Sequence, residues 1–197
     1  MQSGAENRKA TGCTRGLVIA ADQAIYVLSH HWLLVANLAT AIFAGLPVLA
    51  PWLQSRGLEV PARFIYLAYR ATCHQRPERS FFIFGEKMAY CQRDTAIYAL
   101  VLLAGIAYAF LRPRVKPLSW RIAALLVLPM AVDGTGQLIG LWTSTWWSRV
   151  ITGGLFGFSL VWTIYPYIDQ GLAEARKEIE ARFAKAGIPL PGFTRKA

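Results

Sequence analysis

Charge is scarce in this 197-residue chain: 16% of residues are charged and 55% are hydrophobic. A soluble domain carries about 25% charged residues. The balance excludes an ordinary water-soluble domain and fits a small membrane protein. Cysteine is scarce too. Three cysteines are too few for a disulfide scaffold, and their spacing matches no zinc finger. No Walker-type loop, GxSxG elbow, HExxH helix, dinucleotide fingerprint or CxxCH occurs, which removes the enzyme classes those motifs mark. No apolar stretch precedes Cys13 in the polar leader MQSGAENRKATGCTRG, so neither a cleaved signal nor lipoprotein-type processing is expected.

What the chain does have is basic charge, aromatics and long apolar runs. The net charge is +10. Basic residues flank apolar runs, where they meet anionic lipid headgroups and set topology; nucleic acid is not expected as a partner. Seven tryptophans and eight tyrosines suit interfacial belts. A membrane helix needs ~20 largely apolar residues. Four segments approach that: residues 32–53, 95–111, 122–142 and 150–168.

The expected fold is therefore all-α: an integral membrane protein with about four transmembrane helices. Residues 1–31 read as a flexible, then amphipathic, N-terminal segment. Pro47 and Pro51 are expected to kink or end the first span. A connector, 54–94, reads as partly helical, with Phe64, Leu67, Ala68 and Ala71 at helical spacing. Residues 169–197 read as a charged amphipathic helix and tail. Its stripe of Leu172, Ala175, Ile179 and Phe183 is suited to lie on the membrane or dock on a partner. The length suits one domain rather than two.

Four spans put both termini on one side. The count of Lys and Arg favours the cytoplasm for that side, although the basic connector argues the other way. The expected location is the cell membrane, multi-pass. In either orientation the connector, the start of span two, the end of span three and the start of span four share one face. That gathers Cys73, His74, Cys91, Asp94, Ser144 and Arg149 near it.

Asp133 is the sharpest signal. A carboxylate inside a span costs roughly 2.5–3.5 kcal/mol on insertion scales. It needs Arg93, Arg149 or Arg79 as partner, or a cation, or a proton; Gln137 shares its face at i+4. A purely structural ion pair is an equal alternative. Cys73 and Cys91 read first as a disulfide or inert thiols. The other reading is a metal site, in which both join His74, Asp94 or Asp133 around zinc or another transition metal. The RPERSFFIFG stretch sets Arg76 and Arg79 beside phenylalanines, as an interfacial anchor or a phosphate-headgroup site. In STWWSRVITGGLFG, Ser144 reads as an N-cap and Gly153/Gly157 as a GxxxG packing face.

CHQRPERSFFIFG followed by CQRDTAIY, then DGTGQLIGL and STWWSRVITGGLFG, resembles the family called domain of unknown function 2085, over roughly residues 60–168. The resemblance implies a small integral membrane protein. Its pattern marks Cys73, His74, Gln75, Arg79, Ser80, Phe81, Cys91, Arg93, Asp94 and Tyr98. It also marks Asp133, Gly134, Gln137, Ser144, Thr145, Arg149, Thr152 and Gly153. Asp94 stands where many members carry a further cysteine, and Trp146 stands where asparagine is common. No reaction follows from the resemblance. The expected function is accessory binding of a metal ion or an anionic lipid headgroup in a polar pocket of these residues. The alternatives are an enzyme acting on a lipid-linked phosphate substrate, or a structural subunit. Expected partners are membrane lipids, and other membrane subunits or a second copy.

Overall fold

The computed structural model describes residues 12–112 and 114–190. Among them the chain forms five α-helices and one hairpin: α1 Gly12–Ser55, α2 Glu59–Tyr69, β1 Ser80–Ile83, β2 Glu86–Cys91, α3 Gln92–Leu111, α4 Trp120–Leu138 and α5 Trp146–Ala186. Most of the expected flexible leader, the Cys13 side chain and the last seven residues of the expected tail (191–197) lie outside the described residues.

The fold is mostly helical, and three helices are long and apolar enough to cross a membrane: Arg15–Ser55, Gln92–Leu111 and Trp146–Ala186. They expose Leu34, Leu38, Ile42, Leu103, Phe110 and Ile151. Such broad apolar surface is costly in water and neutral in lipid. The expected fourth span corresponds to α4, which has 19 residues and does not reach that apolarity because it carries Arg121, Asp133 and Gln137.

The connector differs from an all-helical expectation. After α2 it forms a β-hairpin. Phe84 and Gly85 both take positive φ, 56° and 79°, which is the two-residue type I′ turn that matches strand twist. Ile83 pairs with Glu86, Phe82 with Lys87, and Ser80 with Cys91. From Phe82 back to Ser80 β1 moves two residues while β2 moves four, from Lys87 to Cys91, so the register carries a bulge. Bulges re-aim side chains; this one sets Cys91 opposite Ser80, at the start of α3.

The prolines do not end α1, which runs through Pro47 and Pro51 to Ser55. A proline at i leaves the carbonyl at i−4 without its helical donor. For Pro47 that carbonyl is Phe43, and the Tyr69 hydroxyl donates to it at 2.7 Å, with Tyr90 at 3.5 Å. Pro166 in α5 frees the Trp162 carbonyl, and the Leu118 amide donates to it at 3.3 Å.

Two compact units divide the chain. One is Leu33–Ile168. In it α5 lies against α3 through glycines: a Cβ at Gly157 would stand 2.4 Å from the Ile97 carbonyl oxygen, and one at Gly153 2.7 Å from that of Arg93. The GxxxG face is thus filled from within the chain. Asn37 of α1 donates to the Gly105 carbonyl of α3 at 3.1 Å. The second unit draws on the chain before Leu33 and after Ile168. There Tyr26, Ile179 and Phe183 are buried together, with Ile19, Ile188 and Leu190 around them. Trp32 donates to Asp169 at 3.0 Å, and Arg182 pairs with Asp22 at 3.2 Å. The expected separate amphipathic helix is therefore the continuation of α5, and Ile179 and Phe183 of its apolar stripe are covered by α1.

Candidate functional site

The Leu33–Ile168 unit contains a cavity of about 330 Å³, lined from the end of α2 through the hairpin to α3, α4 and α5. Cys73, His74, Gln75, Arg79, Cys91, Arg93, Asp94, Gln137 and Arg149 all line it, together with Thr72, Arg76 and Leu138. Asp133 and Ser144 are not on its wall.

The thiol wall begins with the aromatic packing beneath it. Cys73, Tyr69, Tyr90, Ala50 and Ala89 form a buried cluster. Tyr90 stacks on Tyr98 at 5.1 Å, and Tyr69 meets Tyr90 edge-on at 4.9 Å. This fixes the end of α2 against β2, and the chain leaves the cluster at Cys73. Two residues on, Gln75 takes φ 51°, a left-handed conformation that a side chain adopts only when held. Its amide donates to the Tyr66 carbonyl at 2.7 Å, and Lys87 Nζ donates to the Gln75 carbonyl at 2.6 Å. The reversal keeps both His74 and Cys73 on the cavity wall.

Cys91 is the N-cap of α3, and its sulfur accepts the Asp94 amide at 3.4 Å. The Cys91 amide donates to Cys73 Sγ at 3.1 Å, and the Cys91 thiol donates to Asp94 Oδ2 at 3.1 Å. Both cysteines are free. One ligand atom each from Cys73, Cys91 and Asp94 lies within 4.8 Å of the others. Among the described residues that cluster stops there; His74 and Asp133 fall outside it. Hydrogen bonding from Cys91 holds the Cys73 thiol below its usual range. The bond with Cys73, then burial, then the Asp94 charge push the Cys91 thiol up.

The opposite wall is cationic. Arg93 pairs with Asp133, and both are mostly buried. Ser148 Oγ donates to the other carboxylate oxygen at 3.4 Å. Of the expected partners, Arg93 is therefore the one that pairs with Asp133. Gly134 makes room: a Cβ there would stand 3.1 Å from Arg93 Nη1. Arg149 is buried, and its Nη1 donates to the neutral Gln92 at 2.9 Å. Arg149 Nε, Arg93 Nε and Gln137 Nε2 are buried without a partner, as is Ser144 Oγ. Ser144 does not cap α5. Thr145 does, accepting the Ser148 amide at 3.3 Å.

Gln92, Tyr69 and Tyr90 escaped the sequence reading. Gln92 had a signal, since it is a polar residue between Cys91 and Arg93 at the head of an apolar helix. The tyrosines had none, because their roles depend on the carbonyl freed by Pro47.

Residues 73–163 match the family described as Predicted membrane protein (DUF2085). An uncharacterized protein of Methanocaldococcus jannaschii is 48% identical over 105 residues, 52% of this chain and 67% of that protein. An uncharacterized protein of Methanothermobacter thermautotrophicus is 36% identical over 97 residues, 49% of this chain and 86% of that one. No solved structure matches the chain.

Proposed function

We propose, from the premise that this chain belongs to the DUF2085 family of predicted membrane proteins, that it binds a thiophilic transition metal of the zinc class at Cys73, Cys91 and Asp94. One observation carries the reading: two sulfurs and a carboxylate oxygen within 4.8 Å of one another, on the wall of a polar cavity. Zinc holds thiolates at about 2.3 Å, which sets two sulfurs about 3.8 Å apart in a tetrahedron. Small rotations of the side chains reach that spacing. Each sulfur already accepts a backbone amide, the kind of support that orients thiolate ligands. A divalent cation would offset the negative charge that two thiolates and a carboxylate this close would carry together. The fourth position faces the cavity, where His74 or a water would complete it; an open fourth position is the mark of a reactive rather than purely structural site.

In this reading α4 is a fourth span, with the Asp133 charge offset by Arg93. The test is elemental mass spectrometry on the detergent-purified chain, with a free-thiol count. Stoichiometric metal is expected, lost in Cys73→Ser and Cys91→Ser and retained in Asp133→Asn. A metal-free protein with Cys73 joined to Cys91, or metal retained in both serine variants, sinks the reading.

A further inference from the structure

The cationic wall of the cavity has no anion to match it. The charge of Arg93 is offset by Asp133, although its Nε is buried without a partner. Arg149 is less well matched: only 5% of it is exposed, its hydrogen-bond partner is a neutral amide, and its Nε has none. It also lies within electrostatic reach of Arg79 and Arg93 and, more weakly, of Cys91 and Asp133. Among the described residues no carboxylate pairs with Arg79 or Arg149. Burying a guanidinium beside two others is costly unless an anion joins them. Gln137 adds an unpartnered amide nitrogen from α4. Donors thus enter from three directions: Arg79 from the segment before the hairpin, Gln137 from α4 and Arg149 from α5. A planar carboxylate fills two such directions. A tetrahedral oxyanion fills all three, and guanidinium forks suit phosphate oxygens.

We propose that Arg79, Arg149 and Gln137 form a phosphate subsite in the same cavity as the thiol wall, so that the cavity takes a phosphate-bearing ligand. The subsite does not rest on the metal reading, because none of its donors is a metal ligand. Two sources share this chemistry, a free phosphate and the phosphate of a lipid headgroup.

The test uses the full chain in detergent, treated with chelator so that no metal can hold the phosphate. Binding of inorganic phosphate is followed by calorimetry. Binding of dioleoyl phosphatidic acid, against dioleoyl phosphatidylcholine, is followed by native mass spectrometry. Saturable binding of inorganic phosphate points to a soluble ligand, and selective retention of phosphatidic acid alone points to a lipid. Arg79→Gln, at a half-buried residue that ends the short 3-10 turn Pro77–Arg79, is expected to weaken binding by about tenfold or more while leaving the fold intact. Arg149→Lys keeps the charge and loses the fork, and a similar loss is expected. The proposal is overturned if neither probe binds, if both variants bind as the wild type does, if acetate binds as well as phosphate, or if chelator abolishes binding. Metal retained in Arg79→Gln while phosphate is lost separates this subsite from the metal site.

Discussion

At the scale of single residues, Asp133 and Arg93 carry the clearest energetic statement. Their side chains are 14% and 18% exposed, so removing one partner leaves a largely dehydrated charge. Arg93→Gln alone is expected to destabilise the detergent-solubilised protein by on the order of 3 kcal/mol. The double variant with Asp133→Asn is expected to recover more than half of that loss. Thermal unfolding of the four members of the cycle measures the coupling; additive losses would show that the pair is not coupled. The sequence exposed Asp133 because a carboxylate among apolar residues is conspicuous in one dimension. It did not choose among Arg93, Arg149 and Arg79, since all three stand near the same face and only packing separates them. Gly134 is the separating feature: without a Cβ, α4 admits the Arg93 guanidinium. Cys73, His74 and Asp94 were visible as chemistry in a connector, but which of them cluster depends on the left-handed turn at Gln75 and on Cys91 capping α3.

At the scale of elements, the apolar runs were legible and the breaks between them were not. Hydropathy marks where α1, α3 and α5 meet lipid, yet a kink or an end was expected at Pro47 and Pro51, and α1 runs through both. The carbonyl that Pro47 releases is taken by a tyrosine 26 residues away, which no local rule anticipates. A double-mutant cycle tests this account. Tyr69→Phe is expected to cost ~1–3 kcal/mol by stranding the Phe43 carbonyl. In a Pro47→Ala background the backbone amide at 47 reclaims that carbonyl, and the cost of Tyr69→Phe should fall below ~1 kcal/mol. An equal cost in both backgrounds would mean that Tyr69 acts only through its ring. The glycine seam offers a second test. Gly157→Ala drives a Cβ to 2.4 Å from a backbone oxygen, whereas Gly154→Ala meets only the Leu100 side chain at 3.5 Å. The first is expected to lower stability by ~1–3 kcal/mol, the usual cost of overpacking, and the second to leave it nearly unchanged. The hairpin stayed hidden because its turn is Phe84-Gly85 rather than the Asn-Gly or Asp-Gly that announces a type I′ turn. Its strands are also short and bulged, so neither shows a clean alternation.

At the scale of the whole molecule, the contacts between the two ends of the chain bear on how many times it crosses the membrane. α5 is 41 residues long, about 60 Å at 1.5 Å per residue, roughly twice the hydrocarbon thickness. Its charged second half therefore lies outside the hydrocarbon. That half packs with the chain before Leu33 through Ile179, Phe183 and the Asp22–Arg182 pair. Both segments must then be on one side of the membrane. An odd number of crossings separates the ends of a chain, and an even number joins them. In the four-span reading proposed above, α4 adds a fourth crossing to those of α1, α3 and α5, and both ends of the chain fall on one side. The weak apolarity of α4 follows from carrying Gln137 on the cavity wall and Asp133 behind it, where Arg93 offsets the charge. The same reasoning relieves the ambiguity in the basic residues. Arg76, Arg79, Arg93 and Arg149 line the cavity, so the binding role proposed above accounts for them apart from topology. Discounting them leaves the excess of Lys and Arg with the 112–121 loop and the end of α5, so the four-span reading proposed above expects the termini in the cytoplasm. Single cysteines at the exposed positions Ala24, Arg114, Thr143 and Glu178, in a chain with its own three cysteines replaced by serine, would be probed with an impermeant thiol reagent on intact cells. Thr143→Cys is expected to label from outside. Ala24→Cys, Arg114→Cys and Glu178→Cys are expected to label only after the membrane is opened. If Arg114→Cys and Thr143→Cys label alike, α4 does not cross, and the packing of the chain ends would need another explanation.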